Sequence, residues 1–137
     1  MLSVTLDQYV SIPPHANTAV ALWTVATHCL DIRTPDDHDP VPVARFSPIL
    51  ALTSPGPRFG KTTVLTLLSK LVHRPLSTAN ITSAALFKVM HESQPTMLID
   101  EADSFMRSSS ELRNILNSGH SRDLAYVVRS TSSGPRK

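Results

Sequence analysis

Residues Ser54 to Thr63 read SPGPRFGKTT, and the Gly60-Lys61-Thr62 core of that stretch is a set of residue types that can hold a polyphosphate. Such an anion needs several backbone N–H donors converging on it. The first turn of a helix supplies donors that have no intrahelical partner, at the positive end of the helix dipole. The expected donors here are the amides of Arg58, Phe59, Gly60, Lys61, Thr62 and Thr63. Gly60 lets the backbone come close to a phosphate that a Cβ would hold away. Lys61 is expected to reach the terminal phosphates as a compact cation, and the Thr62 hydroxyl to be a protein ligand of Mg²⁺.

The pattern G-x-x-x-x-G-K-[ST] asks for glycine six residues before the lysine. That position is Pro55, with Gly56 one place late. Pro55 and Pro57 carry no N–H and cannot donate to a phosphate, but both lie upstream of the expected donors, so the anion nest can survive. A proline at the third loop position also resembles the G-P-P-G-x-G-K-T variant of AAA+ ATPases. A plain alternative for the tripeptide is an exposed turn before an amphipathic helix.

A second group bears on the same chemistry. Thr96-Met97-Leu98-Ile99 is an apolar run that ends in Asp100-Glu101. A strand buried in a parallel sheet has this continuous apolar character, and ligands of such sheets sit at the carboxyl ends of the strands. Asp100 is then expected to face the Mg²⁺ held by Thr62, usually through water. Glu101 is expected to polarise the attacking water, the Walker B arrangement in its ATPase form. The alternative for two acids after a strand is the start of a solvated loop, and Asp103 is read as a residue that caps or solvates the next turn.

These groups need elements to position them. The run Ile49-Leu50-Ala51-Leu52, in a strand starting near Phe46, leads into the loop, and a helix from Lys61 to about Val72 follows with Val64, Leu65, Leu67, Leu68 and Leu71. His73 to Thr78 reads as a short strand whose Pro75 argues for a sheet edge or a strand start. Thr82 or Ser83 caps a helix with Leu86, Val89 and Met90 inward, ended by Pro95. The alternation strand, helix, strand, helix, strand implies right-handed parallel crossovers, an α/β fold with helices flanking a parallel sheet. Ser108 to Glu111 reads as a capping box, opening a helix with Leu112, Ile115 and Leu116 on one face and Gly119 as a left-handed cap. Leu124 to Val128 reads as another strand, and Arg129 to Lys137 as a polar tail.

Upstream, Val4 to Pro14 reads as extended. Asn17 or Thr18 then caps a helix whose face is Ala19, Leu22, Trp23, Ala26 and Leu30. Trp23 in that stripe is read as core in preference to a base-stacking platform, and Cys29 as a small core residue. Asp31 to Pro42 holds four aspartates and three prolines and reads as a loop. His38 within it fits a solvated turn better than a metal ligand. The expected division is residues 1–44, a helical segment with the acidic proline-rich loop, and residues 45–137, a partial phosphate-loop core.

The 137 residues suffice for one domain with a core, and the 41% hydrophobic content is ordinary for a soluble globular protein. No apolar run approaches the ~20 residues that span a bilayer, so no membrane is expected. Met1 to Val4 lacks a basic segment followed by an apolar stretch, which makes a cytoplasmic protein the expectation. One cysteine excludes an intrachain disulfide and a cysteine-based metal cluster. A net charge of +2 permits a nucleic-acid partner without demanding one. Arg113, His120 and Arg122 are candidates to meet DNA or a neighbouring subunit's phosphate, with a solvated surface as the alternative. Asn117 is read as a group that satisfies the helix end in preference to a polar sensor.

Taken together, SPILALTSPGPRFGKTTVLTLLSKLV, RPLSTANITSAALFKVM, QPTMLIDEADSFM and ELRNILNSGHSRDLAYVVR resemble the P-loop ATPase region of primase/helicase-type proteins of phages and mobile elements, where it precedes a domain of unknown function. The resemblance covers about Tyr9 to Arg129. It implies an AAA+-like P-loop NTPase fold that binds ATP and Mg²⁺, with DNA and a homo-oligomer or larger replication assembly as partners. In such proteins a further strand with a sensor residue, an arginine finger and a lid would follow. None of these follows Lys137, so the resemblance implies a truncated core, with nucleotide binding without turnover as the alternative to hydrolysis. A small-molecule P-loop kinase is disfavoured, since no acceptor-binding segment or arginine-rich lid is evident.

Overall fold

Leu2, Leu6 and Val10 recur at every fourth position, and that stripe makes the opening of the chain helical. The computed structural model describes residues 2–35, 40–54, 56, 59–102 and 110–121. In it, α1 (Leu2–Tyr9) buries Leu6 completely, where an extended segment was expected from Val4 to Pro14. The proline pair closes the connection: Pro14 is the first residue of α2 (Pro14–Cys29), a position where its missing N–H costs nothing. Asn17 and Thr18, expected as caps, lie inside that helix.

The buried face of α2 is Asn17, Val20, Ala21, Thr24 and Thr27. It is rotated from the expected stripe: Leu22 is 66% exposed, Ala19 and Cys29 are exposed, and Trp23 is only half-buried. The reason lies in the threonines. Thr24 Oγ1 donates to the Val20 carbonyl at 2.8 Å and Thr27 Oγ1 to the Thr24 carbonyl at 2.7 Å, so each hydroxyl is satisfied within the helix and can be buried. Asn17 Nδ2 reaches α1, donating to the Ser3 carbonyl at 2.9 Å and to the Asp7 carboxylate, which ties α1 to this face.

The central layer is a two-stranded parallel sheet, β1 (Pro75–Thr78) and β2 (Thr96–Ile99), in register Pro75 with Thr96 through Thr78 with Ile99. Pro75 is a strand start, as its missing donor requires. Three helices complete the described elements: α3 (Lys61–Leu71), α4 (Ser83–Ser93) and α5 (Ser110–Gly119). Thr82 caps α4, its hydroxyl accepting from the Ala85 amide at 3.3 Å. The described residues thus form a mixed α/β structure with five helices.

Strand alternation assigns the two faces of β2. Leu98 joins one cluster with Leu6, Val10, Val20, Ala21, Val64, Leu68 and Val72, so α1, α2 and α3 share one side. Met97 and Ile99 pack against Leu86 and Ile115 of α4 and α5 on the other. Of the apolar residues expected in the helix after the loop, Val64 and Leu68 are buried, as is Val72 at its cap, while Leu65, Leu67 and Leu71 are partly buried.

Two further expectations fail. Ile49 to Leu52 forms no strand among the described residues: Phe46 makes one isolated antiparallel bridge to Ser121, and Ile49 is 71% exposed. An apolar run becomes a buried strand only with neighbours to bond, and no described strand lies beside it. Gly119 ends α5 in helical geometry, Gly60 being the one described glycine with positive φ. Pro55, Pro57, Arg58, His38, Asp103, Ser108, Arg122, the Leu124–Val128 strand and the Arg129–Lys137 tail lie outside the described residues. No helix among the described residues is long and apolar enough to cross a membrane.

Candidate functional site

Gly60 has φ +81° and stands immediately before α3, where it turns the chain into the helix. The first intrahelical bond of α3 runs from the Val64 amide to the Gly60 carbonyl at 3.0 Å. The amides of Lys61, Thr62 and Thr63 precede that bond and have no intrahelical acceptor, at the end where the helix dipole favours negative charge. Their side chains are exposed, as is Phe59. Of the six expected phosphate donors, the amides of Lys61, Thr62 and Thr63 are thus left without an intrahelical acceptor, and Arg58 lies outside the described residues.

Asp100 leaves the carboxyl end of β2 and points at this turn. Thr62 Oγ1 donates to Asp100 Oδ2 at 3.2 Å, bringing together two residues 38 positions apart in the chain. The sheet explains the meeting. α3 packs on β1 and β2, which fixes its N-terminus beside the end of β2. The start of β2 is pinned by the Thr96 amide to the Arg74 carbonyl at 2.9 Å and by Thr96 Oγ1 to the His73 carbonyl at 2.6 Å.

Glu101 follows in a left-handed turn with φ +55°, an uncommon conformation for a residue with a side chain. Its amide donates to Asp100 Oδ1 at 3.0 Å, so both carboxylate oxygens of Asp100 hold a hydrogen bond. The Glu101 side chain is exposed. Lys61, Asp100, Glu101 and Ser54 all line one cavity. Ser54 closes the beginning of the loop, its hydroxyl donating to the Gly56 carbonyl at 2.7 Å.

The fit to Mg²⁺ rests on this donor set. A hydroxyl and a carboxylate, both hard oxygen ligands, converge at the helix terminus, and Mg²⁺ is commonly held by one or two such groups with phosphates and water completing its shell. Among the described residues no group of three or more His, Cys, Asp or Glu gathers as a metal cage. Thr62 and Asp100 would hold the ion.

One participant was missed at the sequence level. Val10, just past α1, approaches so that a Cβ added at Gly60 would lie 3.6 Å from its Cγ1. The Leu2, Leu6, Val10 spacing was the available signal. That separation is ordinary contact, so the φ of Gly60 and not crowding demands glycine. Gly60→Ala is expected to lower stability by about 1–2 kcal/mol, the cost of a left-handed alanine. Urea unfolding measures it, and a loss below about 0.3 kcal/mol would refute this turn geometry.

Of the other candidates, His120 stacks on Phe46 with ring centroids 6.5 Å apart, and its Nδ1 lies against the Asn117 carbonyl. Arg113 is exposed on α5. No family model, curated protein or solved structure matches the chain.

Proposed function

We propose that the chain binds Mg²⁺-ATP at the Gly60–Thr63 turn and belongs to the P-loop NTPases, AAA+-like in fold, as the ATPase unit of a primase/helicase-type DNA-processing assembly of a phage or mobile element. The observation that carries the nucleotide part is the 3.2 Å bond between Thr62 and Asp100, which unites the helix-terminal hydroxyl with the carboxylate at the end of the strand. The DNA part rests on the resemblance of the four sequence stretches. An assembly of several copies in the cytoplasm goes with it.

In this reading the amides of Gly60 to Thr63 and the Lys61 ammonium hold the phosphates and stabilise charge that grows on them. Thr62 and Asp100 fix the position of Mg²⁺, which when bound supplies neutralisation of the phosphate oxygens. Glu101 orients the attacking water from its turn beside Asp100. A nucleotide-binding scaffold without turnover is the second reading, favoured by the lack of a ladder along Ile49–Leu52 among the described residues.

Calorimetry and a phosphate-release assay with and without single-stranded DNA separate the two. Binding that strengthens with Mg²⁺ in the wild type, and loses that dependence in Asp100→Asn, is the expected result. Turnover stimulated by DNA and lost in Glu101→Gln, with binding retained, identifies the ATPase. Binding without turnover identifies the scaffold, and a folded chain that binds no ATP ends both.

A further inference from the structure

Val10 closes the apolar stripe of α1, and it is the side chain that meets Gly60: a Cβ placed on that glycine would stand 3.6 Å from Val10 Cγ1. The contact is buried. Val10 is 8% exposed and shares a cluster with Leu6 and with Val64, the residue whose amide closes the first turn of α3 on the Gly60 carbonyl. The Val10 amide donates to the Leu6 carbonyl at 3.0 Å, so the place of Val10 is set by α1. The Gly60–Thr63 turn thus packs at its base on a side chain that α1 carries.

α1 in its turn depends on α2. A helix of eight residues does not persist alone in water, because its few bonds do not offset the cost of nucleation. It is kept by Leu6, which is fully buried, and by Asn17 of α2, whose Nδ2 donates to the Ser3 carbonyl and to the Asp7 carboxylate. Release of α1 from α2 would therefore melt the helix and withdraw Val10 from Gly60 together. Gly60 is sensitive to that loss. Glycine has the widest backbone freedom of any residue, and no side chain of its own holds φ at +81°.

We propose that Val10 is the positioning residue of the Gly60–Thr63 turn, and that docking of α1 on α2 and occupation of the turn by an anion favour one another. The turn takes an anion through amides that must converge, and an unsupported Gly60 lets them scatter, so the turn held by Val10 is preorganised for binding. Such coupling is reciprocal: the factor by which docked α1 raises the affinity is the factor by which the anion favours docked α1. The affinity half rests on the nucleotide reading given above, whereas the support of the turn by α1 does not.

NMR and calorimetry on the full chain test it in two arms. Without ligand, a nuclear Overhauser contact between the Val10 methyls and the Gly60 α-protons is expected in the wild type. Val10→Ala, and Asn17→Ala, which unties α1 while leaving Val10 in place, are each expected to speed exchange of the Val64 amide by about tenfold while Leu86 to Met90 in α4 keep their protection. With Mg²⁺-ATP, affinity is expected to fall about 5- to 10-fold in Val10→Ala and to return in Val10→Ile, and saturating ATP to slow exchange of the wild-type Val10 amide by a similar factor. A residue that only stabilised the chain would raise exchange in α4 as much as at Val64. A missing contact, exchange that rises equally in α4, or unchanged affinity in Val10→Ala overturns the proposal. Should Val10→Ala fail to fold, the wild-type contact and the effect of ATP on Val10 exchange decide. A folded wild type that binds no ATP ends the nucleotide reading and the linkage with it, and the ligand-free arm then decides whether Val10 holds the turn.

Discussion

Lys61→Ala is expected to weaken Mg²⁺-ATP binding by about 30- to 150-fold while leaving the fold intact. The side chain is exposed at the first position of α3 and neither a hydrogen bond nor an ion pair to a described residue is formed by it, so it is available for an incoming anion. A hydrogen bond to a charged group contributes about 1.5–3 kcal/mol, and the upper part of that range corresponds to the stated loss. The amides of the same turn remain in the variant, which is why residual binding is expected. Stability should change by no more than about 0.5 kcal/mol, as for other exposed positions. Calorimetry paired with urea unfolding reads both quantities. A folded Lys61→Ala chain with wild-type affinity would remove this turn as the phosphate site.

Leu68→Ala is expected to destabilise the chain by about 2–5 kcal/mol. Leu68 is 1% exposed and sits in the cluster that joins α1, α2 and α3 to Leu98 of β2, so truncation leaves a cavity bounded by four elements. That loss is a large share of the roughly 5–15 kcal/mol that stabilises an ordinary domain. Leu22→Ala makes the contrast, because the same substitution at a 66% exposed site on α2 should stay within about 0.5 kcal/mol. Urea midpoints for the pair decide the matter. Equal losses would mean that Leu22 and not the Val20–Thr24 face carries the packing of α2.

The difference between those two leucines shows where reading the residues succeeds. In α3 the apolar residues Val64, Leu65, Leu67, Leu68 and Leu71 fall on one side of the helix, and the buried Val64 and Leu68 lie among them. In α2 the apolar residues outnumber the positions a single face can hold, and the buried side includes Asn17, Thr24 and Thr27; the threonine hydroxyls donate within α2 and Asn17 Nδ2 donates to α1. No count of apolar residues finds that face, because the partner that selects it is α1.

Some features were determined by the sequence by itself. The Thr82 cap and the Leu86 stripe set α4, Pro75 opens β1, Thr96–Ile99 is β2, and Gly60 stands at the start of a helix that follows a polar turn. These depend on bonds and dihedral preferences within a few residues, which side-chain types state directly. Tertiary structure alone decided that the buried face of α2 is the one against α1, that Ile49–Leu52 forms no ladder with the described strands, and that the Thr62 hydroxyl bonds Asp100 directly at 3.2 Å. Each of those outcomes depends on which distant segment lies alongside, and burial of apolar surface between segments is non-directional, so the residues of one segment do not specify its neighbour.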